Sequence, residues 1–207
     1  MLHSGVLVNE VLFDLGERCF LERGPEAVFL THLHADHAFF TEEEVAPLQV
    51  PTFAPQRWEG HPEVQVIRSS REAGGLTVTA VPTVHSISYR SNAYLIDDGV
   101  SRIMYTGDLV SVQRRYRDRL PEMDLVITDG SFIREGGLVR RDGRGRPHGH
   151  TGIPNLVRFF SPLAPRIVFT HFGSWFFHDV DGSVRRIEAL SGASSVEAAH
   201  DGMAIEL

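Results

Sequence analysis

Four side chains that can bind a metal ion lie within six consecutive residues near the start of the chain. They are His32, His34, Asp36 and His37, and they follow the apolar run 27–30. Burying an imidazole costs free energy unless each ring nitrogen finds a partner, so packing alone explains such a cluster poorly. A tight turn after a buried strand would direct the first two ligands to one point and the last two to a second point nearby. The segment therefore predicts a metal centre with nitrogen and oxygen ligands.

The composition limits the chemistry that the rest of the chain can offer. The protein has 207 residues and a net charge of −7, with 20 basic side chains, all of them Arg, and 27 acidic ones. The absence of Lys excludes Schiff-base catalysis and a lysine-dependent phosphate loop. With Cys19 as the single cysteine, an internal disulfide and a thiolate-rich zinc site are also excluded. Any metal must therefore be held by carboxylates and by His, of which there are 11.

Charge is unevenly distributed along the sequence. Residues 1–101 carry −8, residues 102–146 carry +3 and residues 147–207 carry −2. The basic middle segment would steer an anionic substrate, although a solvated Arg-rich surface explains it equally well. Residues 1–10 lack the features of a targeting segment, and no apolar run approaches about 18 residues. We therefore expect a cytoplasmic protein with no membrane partner.

Short apolar or alternating runs bounded by Gly, Pro or Asp predict nine strands. Helices are predicted after Thr41, over 151–160 and over 184–190, and the Gly- and Arg-rich stretch 136–149 is interpreted as a mobile loop. No linker or repeat is visible, so we expect one α/β domain over 1–207, with helices packed outside two sheets. The predicted strands are 6–13, 27–31, 64–67, 76–81, 93–97, 102–106, 125–129, 166–170 and 196–199.

The ligand-rich segment resembles the His-x-His-x-Asp-His signature of metallo-β-lactamase-fold hydrolases. Further segments are similar to the other motifs of that family and occur in the same order over nearly the whole chain. The resemblance implies an αββα four-layer sandwich of two mixed β-sheets flanked by helices. The similar segments are Phe13–Gly16, Val81–Ser86, Tyr105–Asp108 and Phe169–Phe172.

By this resemblance the chain would bind two divalent metal ions. Zn²⁺ suits imidazole and carboxylate ligands best, and Mn²⁺ and Fe²⁺ are also compatible. The two ions would activate a bound hydroxide and leave open positions for substrate, with Asp36 and Asp108 taking part in catalysis. The first ion would be held by His32, His34 and His85, and the second by Asp36, His37 and His171, with Asp108 bridging the two.

A narrower resemblance concerns His148–Thr151. This segment is similar to the His-Ser/Thr motif of the branch that includes tRNA 3′-processing endonucleases and phosphoribosyl cyclic phosphodiesterases, and Asp124–Phe132 and Ala199–Met203 also resemble that branch. There the histidine protonates the leaving oxygen, which implies the same role for His150. The alternative is that His150 only extends a helix cap. A proton on His150 beside two cations would need a compensating acid such as Asp129.

Four residues are candidate substrate contacts: His148, Arg140, Arg141 and His200. Arg side chains bind phosphate through forked hydrogen bonds, while a solvated loop position for His148 and a strand-edge hydrogen bond for His200 are the alternatives. Only 23 positions separate His85 from Asp108. This leaves no room for the long tRNA-binding arm of the processing endonucleases, so tRNA is disfavoured and a small anionic or ester substrate is expected.

These features favour a dinuclear metal-dependent phosphodiesterase that acts on a small or cyclic phosphate ester through a metal-bound hydroxide. A thioester or lactone hydrolase similar to glyoxalase II would use the same metal site, and a metal-bound regulatory module is the non-enzymatic alternative. A di-iron site that reduces oxygen or nitric oxide would need a flavin domain, of which the sequence shows no sign. A homo-oligomer is compatible with these features.

Overall fold

The computed structural model describes residues 2–207, and these contain fifteen β-strands, four α-helices and two 3-10 helices. No helix in this range is long and apolar enough to span a membrane. The strands are β1 (Val6–Val8), β2 (Val11–Phe13), β3 (Ala27–Phe29), β4 (Thr52–Ala54), β5 (Gln65–Val66), β6 (Ser70–Ala73), β7 (Leu76–Val84), β8 (Asn92–Asp97), β9 (Arg102–Tyr105), β10 (Ser111–Val112), β11 (Leu125–Asp129), β12 (Leu138–Arg141), β13 (Pro147–His150), β14 (Arg166–Thr170) and β15 (Ser195–Ala198). The α-helices are α1 (Arg114–Arg117), α2 (Ile153–Phe160), α3 (Ser174–Phe177) and α4 (Val180–Glu188), and the 3-10 helices span Arg18–Arg23 and Phe39–Thr41.

Two mixed β-sheets and a separate hairpin organise the chain. The smaller sheet has the order β1-β2-β3-β4-β5, in which only β1 is antiparallel to its neighbour. The larger sheet has the order β10-β7-β8-β9-β11-β14-β15, with β6 also paired to β7. Strands β9, β11, β14 and β15 are parallel, and β7 runs in the same direction because β7 and β9 are both antiparallel to β8. The hairpin consists of β12 and β13.

The two sheets pack face to face over a buried apolar core. Phe13 of the smaller sheet contacts Tyr94 of the larger one, with ring centroids 5.8 Å apart. The other face of the larger sheet is covered by α2 and α4 through Ile153 and Ile187, and the outer face of the smaller sheet by 3-10 and loop residues such as Phe40. The α/β sandwich of two mixed sheets is confirmed, although 3-10 helices and loops form its outer layer beside the smaller sheet.

Local backbone chemistry explains where the predicted elements differ from the structure. The predicted strand 6–13 is a tight hairpin, because Asn9 adopts a left-handed conformation with φ of 51°, which Asn tolerates better than most residues. The helix predicted after Thr41 is wrong, since Thr41 ends a 3-10 helix. The helix predicted over 151–160 is confirmed, but its N-cap is Gly152 and no side chain caps it.

The stretch 136–149, interpreted from the sequence as a mobile loop, is mostly the β12–β13 hairpin. The backbone N–H of Gly149 donates to the carbonyl of His85 at 2.7 Å, and that of Thr151 donates to Leu109 at 2.8 Å. Gly149 has a φ of 107°, so glycine serves here to admit an unusual strand conformation and does not mark a loop. The hairpin is therefore fastened to the larger sheet.

Six parallel strand ends converge at one edge of the sandwich. The strands β2, β3, β7, β9, β11 and β14 each end at, or within three residues before, a His or Asp side chain that points into the same region. Sheet edges of this kind position side chains from segments that are far apart in the chain. These side chains are Asp14, His32, His85, Asp108, Asp129 and His171.

Candidate metal centre

Three imidazoles form the first ligand cluster. The Nε2 atom of His32 lies 2.9 Å from Nδ1 of His34, and Nε2 of His85 lies 3.3 Å from the same Nδ1 atom. His32 and His85 are buried, whereas His34 is partly exposed. The three nitrogen atoms and a carboxylate oxygen of Asp108 all lie within 4.8 Å of one another, which is close enough to surround one cation.

A carboxylate and two imidazoles form the second cluster. Nε2 of His171 lies 2.9 Å from Oδ2 of Asp36, and Nε2 of His37 lies 3.7 Å from that same oxygen. His171 comes directly after β14 and has a φ of 54°, so a left-handed turn directs its ring away from the strand. The Asp36 side chain is 38% exposed, and it therefore lies at the solvent opening of the site.

Asp108 lies between the two clusters. Its Oδ2 atom is 3.4 Å from Nε2 of His85 and 3.8 Å from Nε2 of His32, while Oδ1 is 3.2 Å from Nε2 of His37. Nδ1 of His171 also lies 3.1 Å from Oδ1. Burial raises the pKa of Asp108, but the charges of His171 and His37 lower it more, so the carboxylate stays ionised. One carboxylate oxygen thus faces each cluster.

The donor set fits two divalent cations. Nδ1 of His85 donates to the carbonyl of Gly149 at 2.9 Å, and Nδ1 of His37 donates to a carboxylate oxygen of Asp14 at 2.7 Å. Burial lowers the pKa of His85, so this ring is neutral and presents a bare Nε2 lone pair to Oδ2 of Asp108 at 3.4 Å. The buried Oδ1 of Asp108 has no hydrogen-bond partner within residues 2–207. Two hydrogen-bond acceptors that face each other are unfavourable unless a cation lies between them. All seven residues predicted as ligands meet at this place.

Asp14 supports the second cluster, and the sequence analysis did not identify it as a functional residue. It is fully buried and accepts hydrogen bonds from the backbone N–H and the hydroxyl of Thr31, from Nδ1 of His37 and from the hydroxyl of Tyr105. A carboxylate on the far nitrogen of a ligating imidazole fixes the ring and its tautomer. The sequence feature that could have identified Asp14 was a single Asp directly after the apolar strand β2.

His150 lies beside the ligand clusters and is held by Asp129. Nδ1 of His150 donates to Oδ2 of Asp129 at 2.8 Å, and Nδ1 is 3.9 Å from Asp108. Ser131, which the sequence analysis missed, donates to the other Asp129 oxygen at 2.6 Å and lies 3.0 Å from Nδ1 of His171. Burial lowers the pKa of His150, but the hydrogen bond and charge of Asp129 raise it more, so the net shift is upward.

The four predicted substrate contacts lie in different surroundings. His148 is partly buried on β13, and Arg140 and Arg141 are exposed on β12. One guanidinium nitrogen of Arg141 donates to the carbonyl of the turn residue Gly145 at 2.8 Å. His200 is exposed and its ring contacts the carbonyl of the next residue at 3.1 Å, so the structure does not bring it to the ligand clusters.

Aromatic rings border the opening of the site on two sides. The ring of Tyr89 lies 5.1 Å from that of His34, and the ring of Phe132 lies 6.0 Å from that of His150. The guanidinium of Arg134 in turn lies 5.6 Å from the centroid of Phe132. We call the region between these rings, above Asp108, the metal cleft. Its walls offer stacking surfaces, and neither Tyr89 nor Phe132 was predicted from the sequence to form them.

Comparison with known proteins places this geometry in a family. The sequence profile of the Beta-lactamase superfamily domain matches residues 18–172. Among curated proteins, the chain is similar to coenzyme PQQ synthesis protein B of Xanthomonas axonopodis pv. citri, with 27% identity over 171 residues, which are 79% of this chain and 50% of that protein. The chain therefore spans about half the length of this relative.

Solved structures agree with the sequence profile. The metallo-β-lactamase fold protein YhfI from Bacillus subtilis has a TM-score of 0.68 and 20% identity, over 98% of this chain and 90% of that one. A diphosphatase of the PhnP family has a TM-score of 0.65 and 21% identity, over 95% of this chain and 79% of that one. The profile, these folds and the His/Asp clusters together show that the chain belongs to the β-lactamase superfamily, with a metallo-β-lactamase fold and a candidate metal centre.

Proposed function

We propose that the protein is a dinuclear metal-dependent phosphodiesterase that acts on a small or cyclic phosphate ester. The observation that carries this proposal is the Asp129–His150 pair, in which Nδ1 of His150 is bonded to Asp129 at 2.8 Å and lies 3.9 Å from Asp108, the carboxylate between the two ligand clusters. A phosphate ester releases an alkoxide, which is a poor leaving group unless it is protonated. A thioester releases a thiolate, which leaves without strong acid help, so this pair favours the phosphodiesterase over thioester hydrolysis.

The clusters assign the residues that would hold the cations, which we propose to be Zn²⁺, with Mn²⁺ and Fe²⁺ as alternatives. His32, His34 and His85 would hold one cation, and Asp36, His37 and His171 the other, with one Asp108 oxygen for each. Bound there, the cations would supply an activated water and offset the charge on the phosphate oxygens.

The proton transfer depends on the chain's own residues. Asp129 can only accept at its ionised oxygens, so the Nδ1 proton of His150 stays in that hydrogen bond. The Nε2 atom, which has no hydrogen-bond partner within residues 2–207, is left to transfer a proton to the leaving oxygen. Asp129 also stabilises the positive charge that His150 carries before the transfer.

The relatives support the proposal only in part. One structural neighbour is a diphosphatase, which acts at phosphorus, and this agrees with phosphate ester chemistry here. The curated relative takes part in coenzyme PQQ synthesis, and the chain spans only about half of it. We therefore base the proposal on the geometry of the site. We also propose that the substrate is a small anionic molecule and not tRNA.

A comparison of leaving groups tests the function. The zinc-loaded protein should hydrolyse 2′,3′-cyclic AMP, which releases an alkoxide, and bis-p-nitrophenyl phosphate, which releases a better leaving group. His150→Ala should lower kcat on the cyclic nucleotide by about 10²–10⁴-fold and on the aryl ester by much less. The exposed His178→Ala serves as the control, and bound zinc is measured in both variants. Equal losses on the two esters, or turnover of S-lactoylglutathione alone, would contradict the phosphodiesterase.

A further inference from the structure

The register of the β12–β13 hairpin separates its side chains into two faces. Leu138 is paired with His150, and Arg140 is paired with His148. In an antiparallel ladder, directly opposed residues lie on the same face, and so do residues two positions apart in a strand. Arg140, His148 and His150 therefore share one face. Arg141 lies on the other.

The face that carries His150 is the face towards the metal cleft. Its ring contacts Asp129 at 2.8 Å and lies 3.9 Å from Asp108. On the opposite face, Arg141 already donates to the carbonyl of Gly145 and so closes the turn of the hairpin. The two neighbouring arginines thus lie on opposite faces of the hairpin, and Arg141 makes a hydrogen bond that Arg140 lacks, although both carry the same charge.

Arg140 has no partner of its own among the described residues. Its guanidinium is exposed and makes no hydrogen bond or ion pair within residues 2–207. The nearest acid along the chain, Asp142, is already bonded to the side chain of Arg146 at 2.6 Å. Neither ring nitrogen of His148 has a partner in that range, and its Nδ1 atom is buried. An unpaired guanidinium fork beside an unpaired imidazole is suited to an oxyanion.

The hairpin also fixes the distance between this pair and the reacting bond. The Arg140–His148 pair lies two residues along the ladder from His150, which corresponds to about 7 Å. The hydrogen bonds between Gly149 and His85 hold the ladder against a candidate metal ligand. A substrate group bound there would therefore sit at a defined spacing from an ester bond beside His150.

We propose that Arg140 and His148 bind a second anionic group of the substrate, a phosphate or carboxylate about 7 Å from the ester bond that is cleaved. The proposal rests on the proposed function for the position of that bond. It distinguishes Arg140, which contacts the substrate, from Arg141, which is structural. The preferred substrate is thus a phosphodiester that carries a further oxyanion, and simple diesters are bound more weakly.

Two nucleotides that differ by one phosphate test the site without turnover. The binding of thymidine 3′,5′-bisphosphate and thymidine 5′-monophosphate to the zinc-loaded protein is measured by isothermal titration calorimetry at fixed salt. The bisphosphate should bind about tenfold more tightly, because the second phosphate gains a forked, charge-assisted contact. Arg140→Ala should remove this advantage and bring the ratio of the two affinities close to one. Arg141→Ala, with the same loss of charge, should retain it.

Two outcomes would contradict the proposed anion site. One is an unchanged bisphosphate advantage in Arg140→Ala. The other is an equal loss in Arg140→Ala and Arg141→Ala, which would mean that only the overall charge of the hairpin matters. His148→Asn should give a smaller loss than Arg140→Ala, because it removes the weaker of the two contacts.

The proposed function is measured separately, as release of p-nitrophenol from thymidine 5′-p-nitrophenyl phosphate. Hydrolysis without tighter binding of the bisphosphate would refute the proposed anion site and support the proposed phosphodiesterase activity. Tighter binding of the bisphosphate that depends on Arg140, without hydrolysis of any diester, would support the anion site and refute the phosphodiesterase activity. The two proposals can therefore fail independently.

Discussion

Asp129 accepts a hydrogen bond from Nδ1 of His150 at 2.8 Å, and this contact determines which nitrogen of the imidazole can take part in proton transfer. The other Asp129 oxygen accepts from the hydroxyl of Ser131 at 2.6 Å. Burial raises the pKa of Asp129, but the hydrogen bonds from His150 and His171 lower it more, so the group is a permanent acceptor. The pair gives His150 a fixed tautomer beside the metal cleft.

Replacing this carboxylate should impair catalysis more than substrate binding. In Asp129→Asn, an amide can donate to the imidazole and stabilise the wrong tautomer of His150. We expect kcat on 2′,3′-cyclic AMP to fall by about 10–100-fold with little change in KM. Steady-state kinetics at constant zinc occupancy measure this. Asp142→Asn, on the turn of the same hairpin, is the control, and a loss of similar size there would show that the hairpin had only become disordered.

The backbone of Gly149 has a role that an ordinary residue cannot fill. Its φ is 107°, and a Cβ atom there would clash with the carbonyl oxygen of Leu138. Gly149→Ala should displace β13, break the hydrogen bond that orients His85 and lower zinc affinity by about 10–100-fold. Competition with a zinc chelator gives the affinity. Gly143→Ala has open space around the new methyl group and should bind zinc like the wild type; tight binding by both variants would contradict the coupling.

The two ligand clusters should be separable by mutation. The wild-type protein should bind two zinc ions per chain, because one oxygen of Asp108 faces each cluster. His34→Ala should abolish the first site and His171→Ala the second, each leaving one ion, as counted by atomic emission after dialysis. Chelation of both ions should lower the Tm, since a ligand at 100 times its Kd stabilises the fold by about 2.7 kcal/mol. A single ion in the wild type would refute the dinuclear assignment.

The sequence predicts the fold and the ligand residues through different arguments. The cluster His32–His37 stands out locally, since four ligands in six positions cannot be explained by packing. That His171 joins it from 134 positions beyond His37 follows only from the family resemblance, because spacing alone does not show which strands are neighbours in the larger sheet. The parallel strand ends then explain the meeting of these residues in physical terms.

The β12–β13 hairpin and Asp14 show where sequence patterns are insufficient. Gly and Arg between 136 and 149 are typical of a loop, and the strands there have no apolar alternation, since both lie partly or fully exposed. The difference between Arg140 and Arg141 depends on register, which composition does not encode. Asp14 is a single residue with common turn chemistry. Its four donors belong to three residues in two distant segments, so only the folded chain reveals its role.

Asp14 should control both stability and metal binding, and two variants can separate these effects. Tyr105→Phe removes one donor to Asp14 and should lower the free energy of unfolding by about 1.5–3 kcal/mol, with two zinc ions retained. Tyr94→Phe, which loses a bond to a neutral carbonyl, is its control and should cost about 0.5–1.5 kcal/mol.

Asp14→Asn should act on the metal as well. An amide nitrogen at the Oδ2 position would donate to Nδ1 of His37, so the ring proton would move to Nε2, the atom that faces Asp108. A protonated nitrogen cannot ligate, and we expect the second zinc ion to bind about 10–100-fold more weakly while the first is retained. Urea unfolding and zinc titration measure the two effects. Full zinc affinity at both sites in Asp14→Asn would show that Asp14 contributes only to stability.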